Sequence, residues 1–188
     1  MIISITGTPG SGKTTFGKVL AGKLGFPFVS GGEMRGILAK KLGTDINGLN
    51  KLGESGDTDT QVDKELVKLV RGNDYVVDSY VGAYLFPEAF KVFVDADLDE
   101  RARRKLKAKY SDESYDNIEQ AKKAISSRVA SDVMRYEKHY KFNPYETRHY
   151  DLILDSTHTS PEELAEAVLR AVQEKPLKKA GKSRNSSL

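Results

Sequence analysis

The chain has 188 residues, with 30 Lys and Arg against 27 Asp and Glu and no cysteine. That length suits one complete hydrophobic core and is marginal for two, so a single domain is expected. Without cysteine, neither a disulfide nor a thiolate zinc site can form. No apolar run approaches the ~20 residues that cross a bilayer, and Met1 to Ile5 is too short for a secretion signal. A cytoplasmic location with no membrane partner is expected. The net charge of +3 sits at the end of the chain. Lys175, Lys178, Lys179, Lys182 and Arg184 stand in 175–188 without an acid, which leaves 25 basic against 27 acidic residues before them. The body of the chain is therefore slightly acidic and is not expected to bind nucleic acid. The basic tail, with Pro176, Gly181, Ser186 and Ser187, reads as a disordered end and is the one segment offered to nucleic acid or a partner.

In chain order, the apolar run Met1 to Ile5 predicts a strand. It leads directly into Gly7, Thr8, Pro9, Gly10, Ser11, Gly12, Lys13, Thr14, which fits GxxxxGK[ST]. Glycines permit backbone conformations closed to other residues, so successive amide N–H groups can converge on an anion at the start of the next helix. Phe16, Val19, Leu20 and Leu24 recur at helical spacing after it, and Gly25 stands where that helix would stop. The plain alternative is an ordinary glycine turn between a strand and a helix.

A short strand at Phe28 and Val29 ends at Ser30, and a helix is expected from about Glu33 to Leu42. Leu49 and Leu52, then Val62, Leu66, Leu69 and Val70, predict two further helices before the turn at Gly72 and Asn73. Three buried parallel strands follow, each ending on a carboxylate: Tyr75 to Val77 on Asp78, Val92 to Val94 on Asp95, and Leu152 to Leu154 on Asp155. Between Asp95 and Tyr150 the chain reads as two charged helices around a turn near 111–115. Ser160, Pro161, Glu162 and Glu163 make a strong helix start. Strands alternating with helices imply an α/β fold with a five-stranded parallel sheet between helices on both faces, its ligand edge at the carboxyl ends of the strands.

Lys13 can neutralise the β and γ phosphates of a nucleoside triphosphate, and Thr14 can offer its hydroxyl to Mg²⁺. Asp78 is the candidate to hold that ion through its water shell, with helix or turn capping as the alternative. Asp95 and Asp155 are read equally well as turn caps. Arg101 and Arg104 share a helix face at i, i+3, and Arg128 and Arg135 share one at i, i+7. Such guanidinium groups can stabilise the equatorial oxygens of a transferring phosphoryl group. They can also be solvated, with Arg128 and Arg135 pairing Asp132. Tyr136, Tyr140, Tyr145 and Tyr150 read either as an RNA-stacking surface or as packing for a small lid, the second being favoured. His139, His149 and His158 lack metal-ligand spacing and are expected at the surface.

Two other phosphate-loop readings fail. The Ser30, Gly31, Gly32, Glu33 stretch resembles the transporter ATPase signature but follows the loop too closely in too short a chain. Asn50, Lys51, Leu52, Gly53 resembles the guanine-reading NKxD, yet glycine stands where the aspartate must accept the guanine hydrogen bonds.

Over residues 1 to about 173 the chain resembles the small archaeal-type cytidylate kinases of the nucleoside monophosphate kinase group. The likeness is most specific at MIISITGTPGSGKTT, FVSGGE, SRVASDVMRYEKHY and YDLILDSTHTSPEEL. It implies ATP phosphates on Gly7 to Thr15, so including Thr8, Pro9, Ser11 and Thr15. It further implies lid arginines at Arg101, Arg104, Arg128 and Arg135, and an acceptor monophosphate near Ser30. The implied fold is the P-loop kinase fold over 1–174, with a monophosphate-binding helical insert at about 31–73 and a helical lid at about 101–148. Departures fall on the acceptor side. Aligned without a gap, Arg35 sits one residue before the family's arginine, where Gly36 stands; one helical residue is about 100° of rotation. Tyr80 occupies the position of another family arginine. Asp59 and Asp63 match loosely, and Glu65 and Leu66 replace an Arg and a Gln. The expected activity is ATP- and Mg²⁺-dependent phosphorylation of a nucleoside monophosphate, CMP or dCMP first, by a monomer. Another acceptor, such as AMP or UMP, and a slow ATP-hydrolysing module acting on RNA or a protein remain the alternatives.

Overall fold

The computed structural model describes residues 1–44, 49, 58–70, 72–107 and 115–174, with Asp59 described by its backbone alone. Five strands, Ile2–Gly7 (β1), Phe28–Ser30 (β2), Tyr75–Asp78 (β3), Phe90–Asp95 (β4) and Leu152–Asp155 (β5), form one sheet in the order β2-β3-β1-β4-β5. Every pairing is parallel, with Ile5 beside Asp78 on one side and beside Val92 on the other. The described helices are Lys13–Leu24 (α1), Gly31–Lys41 (α2), Thr58–Val70 (α3), Gly82–Leu85 (α4), Leu98–Lys107 (α5), Ile118–Tyr140 (α6) and Pro161–Glu174 (α7), with one 3-10 turn at Thr147–His149.

β1 is buried at every position, as a central strand covered on both faces must be. Its alternating side chains divide between two cores. Ile3 and Ile5 pack with Phe16 and Leu20 of α1 and Leu164 and Val168 of α7. Ile2 packs on the opposite face with Val77 and with Leu66 and Val70 of α3. The result is helix, sheet, helix, with the strand ends at one edge. The expected strands are all present, but β5 is an edge strand with Ile153 exposed rather than a buried one; the apolar stripe Val62, Leu66, Val70 of α3 is buried while Leu69 is exposed.

Several boundaries moved. α2 starts at Gly31, two residues before the expected Glu33, because extended Ser30 turns straight into the helix through two glycines that propensity would exclude. The expected helix at Leu49 and Leu52 lies outside the described residues except for Leu49, which is fully buried. The turn expected near 111–115 also lies outside them except for Tyr115. α7 opens on a reciprocal capping box, the Ser160 amide donating to Glu163 Oε2 at 2.9 Å and the Glu163 amide to Ser160 Oγ at 3.3 Å. His139 and His149 are half-buried rather than at the surface, His149 lying 4.5 Å from the Phe142 ring centre; only His158 is exposed.

Candidate active site

The loop between β1 and α1 is fitted closely to the strand beside it. The Thr8 amide donates to the Val94 carbonyl at 3.1 Å, and Thr8 Oγ1 donates to Asp95 Oδ1 at 2.6 Å. A side chain at Gly7 would stand 2.1 Å from the Val94 oxygen, so only glycine fits. Pro9 is buried, and the Ser11 amide closes the turn onto the Thr8 carbonyl at 3.1 Å. Gly10 and Gly12 have φ of 86° and 81°, the left-handed region that other residues avoid. Gly12 then caps α1 with no side-chain bond, so the first N–H groups of Lys13, Thr14 and Thr15 face a ligand instead of a cap. Ser11 Oγ, buried beside them, has no hydrogen-bond partner among the described residues. Such a cradle of converging N–H groups at a helix start suits an anion such as a phosphate.

Lys13 reaches from the first turn of α1 to Tyr80, its Nζ 3.4 Å from the hydroxyl and 4.7 Å from the ring centre. Burial opposes its charge, but Tyr80 and the Asp78 carboxylate outweigh burial and the Arg128 charge, so its pKa is raised and the ammonium persists. One residue on, Thr14 Oγ1 donates to Asp78 Oδ2 at 2.5 Å. A hydroxyl and one carboxylate, both hard oxygen donors beside the phosphate cradle, suit Mg²⁺, which keeps several waters and phosphate oxygens as its other ligands. No cluster of three or more His, Asp or Glu able to hold a metal occurs among the described residues. Asp95 accepts from Thr8 and from the Ala96 amide, and Asp155 from the Thr157 amide and hydroxyl; both act as caps.

The four arginines fall into two pairs with different surroundings. Arg101 and Arg104 of α5 lie against the outside of the phosphate loop. Arg101 Nε donates to the Ala96 carbonyl at 2.8 Å, and its Cβ would meet a side chain at Gly10. Arg104 Nη1 donates to the Ser11 carbonyl at 3.2 Å and to Ser156 Oγ at 3.1 Å. Its Nη2 donates to the Ser156 carbonyl at 2.6 Å, and its Nε to Glu100 at 3.0 Å. Arg128 and Arg135 are on α6. Arg128 lines the central cavity, whereas Arg135 is bonded to buried Asp132 at 2.5 Å. Asp132 also accepts from the Tyr145 hydroxyl at 2.8 Å and stands 4.0 Å from Arg128 Nε, the pairing that simple helix spacing offers.

One cavity joins the donor loop to the other side of the sheet edge. Lys13 and Asp78 line it, and so do Ser30, Arg35 and Tyr80, three of the four residues expected around the acceptor. The fourth, Asp59, lies in the first turn of α3, and its side chain is outside the described residues. Burial lowers the Arg35 pKa against the pull of Tyr136, Asp63 and Asp132. The tyrosines pack with one another: Tyr80 on Tyr136 and Tyr145, and Tyr84 on Tyr140. Burial raises the pKa of Tyr136, Tyr140 and Tyr145 and keeps their hydroxyls protonated. Of these rings, Tyr80 and Tyr136 line the cavity, and the others pack behind them.

One residue of the site, Ser156, was not singled out in the sequence, and Asp63 was named there only as a loose match to the family pattern. Ser156 joins the phosphate loop, β4 and Arg104, its Oγ donating to the Ser11 carbonyl at 2.7 Å and the Asp95 carbonyl at 3.0 Å. Nothing in its spacing announces this. Asp63 lies in the cavity wall, and burial pushes its carboxyl up to about 6. A signal for it existed: a carboxylate set in the apolar stripe of Val62, Leu66 and Val70.

The comparisons with known proteins agree with this geometry. Residues 2–158 match the model of the cytidylate kinase-like family. The cytidylate kinase of Sulfolobus acidocaldarius is 32% identical over 184 residues, covering 96% of this chain and 98% of the relative. That of Ignicoccus hospitalis is 31% identical over 172 residues, covering 90% and 97%. A crystal structure of shikimate kinase from Bacteroides thetaiotaomicron superposes with a TM-score of 0.58 at 19% identity over 93% of this chain and 99% of that one, a likeness of fold. By its matched residues and its relatives alike, the chain belongs to the cytidylate kinase-like family.

Proposed function

We propose that this chain is an ATP- and Mg²⁺-dependent nucleoside monophosphate kinase whose acceptor is CMP or dCMP, as the names of its relatives suggest. The observation that carries the reading is the shared cavity: Lys13 and Asp78 of the donor side and Ser30 and Arg35 of the acceptor side line a single space. A donor and an acceptor bound there meet without crossing water.

The chemistry assigned to the residues follows from that meeting. The loop N–H groups and the Lys13 ammonium hold the β and γ phosphates of ATP. Thr14 and Asp78 would hold Mg²⁺, which neutralises charge on the bridging and terminal oxygens when bound. An oxygen of the acceptor phosphate attacks the γ phosphorus in line, the bond to the β,γ-bridging oxygen breaks, and ADP leaves. The acceptor oxygen is already anionic, so no general base is required. Arg128, in the cavity wall, is the guanidinium best placed to meet the equatorial oxygens. Arg35 and the Ser30 to Gly32 turn serve the acceptor. Arg101 and Arg104 act from behind the phosphate loop, and Tyr80 orients Lys13.

The insert at about 31–73 and the lid at about 101–148 close over the pair in this proposal, excluding the water that would hydrolyse ATP. A monomeric cytoplasmic enzyme is part of the same reading; among the described residues no helix is long and apolar enough to cross a membrane. The test is a panel of nucleoside monophosphates incubated with ATP and Mg²⁺, followed as ADP formed. CMP and dCMP are expected to give the highest kcat/KM. ADP release that no monophosphate accelerates would reject the reading.

A further inference from the structure

The far end of the phosphate loop is held by two residues that do not line the cavity. The Ser11 carbonyl accepts from Ser156 Oγ at 2.7 Å and from Arg104 Nη1 at 3.2 Å. Ser156 is fixed in turn to the end of β4, its amide donating to the Asp95 carbonyl at 2.8 Å, and its Oγ accepts from Arg104 Nη1 at 3.1 Å. It is only 3% exposed. Donors from α5 and from the end of β5 therefore meet on one carbonyl of the loop.

That carbonyl belongs to the peptide joining Ser11 to Gly12. The peptide is trans and planar, so its N–H points away from its oxygen. With the oxygen turned toward Ser156 and Arg104, the Gly12 N–H is turned from them. Residue type alone does not fix this choice. Glycine accepts φ of either sign, so the peptide can turn over through Ser11 ψ and Gly12 φ at little local cost. The turned-over form would present an oxygen where a phosphate needs a donor. On the other side of Gly12 the chain is already committed, its carbonyl accepting the first helical bond from the Phe16 amide at 3.0 Å.

We propose that Ser156 is a positioning residue for the donor: with Arg104 it clamps the Ser11 carbonyl so that the Gly12 N–H faces the phosphates before they bind. The inference rests on the kinase reading above for the identity of the anion and deepens it. A cradle set in advance needs no reorganisation when its ligand arrives, so more of the contact energy appears as affinity. The Arg104 charge also polarises the peptide through its carbonyl, which makes the Gly12 N–H a stronger donor. A guanidinium outside the cavity thus acts on the phosphates without touching them.

The experiment titrates the full isotope-labelled chain with inorganic tripolyphosphate and follows the Gly12 amide by NMR, for the wild type and Ser156→Ala. Initial rates with ATP and CMP are measured beside it. In the wild type the Gly12 amide proton is expected to move downfield as tripolyphosphate binds. Ser156→Ala removes one of the two bonds that hold the carbonyl, so the Kd for tripolyphosphate and the KM for ATP should each rise by about 10-fold. The KM for CMP should stay unchanged, and kcat should fall by less than the KM for ATP rises.

A residue that served stability alone would lower the melting temperature and leave tripolyphosphate affinity, measured well below it, as in the wild type. That result would overturn the proposal, as would a wild-type Gly12 amide that tripolyphosphate does not move. Should Ser156→Ala not fold, the wild-type titration decides alone. The binding arm needs no acceptor. A weakened tripolyphosphate site in a chain that phosphorylates no monophosphate would uphold the clamp and reject the kinase reading; CMP turnover with an unaltered tripolyphosphate site would do the reverse.

Discussion

The two sides of the cavity, proposed for donor and acceptor, are built by different means. The side proposed for the donor is largely main chain: a loop shaped by Gly7, Gly10 and Gly12 and tied to β4 by the Thr8 amide on the Val94 carbonyl, with Lys13 as its charged side chain. The side proposed for the acceptor is side chain: Arg35 from α2, Asp63 from α3 and Tyr136 from α6. A main-chain cradle recognises what all its ligands share, the phosphates. Side chains brought from separate helices can be exchanged one at a time, and that is where an acceptor is chosen.

Substitutions test that division. Lys13→Ala should produce the largest loss, about 10³-fold in kcat/KM and the same for every acceptor, because it removes the ammonium proposed to meet the transferring group. A loss that differed among acceptors would break the division. Asp78→Asn should lower kcat by about 10²-fold, with part of the loss recovered at high Mg²⁺ when rates are titrated against the metal. Arg35→Ala should raise the acceptor KM by about 10-fold or more without altering ATP binding measured by calorimetry; a weaker ATP site would place Arg35 on the donor side instead.

Arg104 sharpens the comparison from behind the loop. Its guanidinium donates to the Ser11 and Ser156 carbonyls, which ties the loop after β5 to the phosphate loop, and it is not among the residues that line the cavity. Arg104→Ala should lower the melting temperature by several degrees, corresponding to about 2 kcal/mol, and raise KM for ATP more than it lowers kcat. A loss confined to kcat would return it to the reacting phosphate.

The smallest effect concerns pH. The native carboxyl of Asp63 is pushed from its ordinary 3.8 to about 6, so between these values the folded chain holds the proton more tightly than the unfolded one. Its contribution is therefore full below pH 4 and is lost as pH rises through 6, an effect on the order of 1 kcal/mol. Asp63→Asn lacks this titration. Denaturant midpoints at pH 4.5 and 7 should show the variant gaining on the wild type at the higher pH; parallel curves would mean that Asp63 is not held neutral by burial.

The readability of the sequence divided along the same line. The phosphate loop, its flanking strand and helix, and the carboxylate at the end of β3 could all be read, since each depends on residues adjacent in the chain. Apolar runs likewise marked all five strands. Ser156 could not be read, because its three partners come from residues 11, 95 and 104. Arg35 was ambiguous for a rotational reason, one helical step, and only the start of α2 at Gly31 put it in the cavity wall. Asp132 was visible as a helix-spaced partner of Arg128 and Arg135, but its burial and its bond from Tyr145 were not.

By itself, then, the sequence determined the phosphate cradle, the α/β alternation and the family resemblance, because main-chain geometry and hydrophobic periodicity are written in contiguous residues. Tertiary structure alone decided which side chains line the cavity and which arginines brace the loop. Those choices depend on how α2, α3, α5 and α6 are rotated and packed, and a helix's rotation is set by the neighbours it buries, not by its own residues.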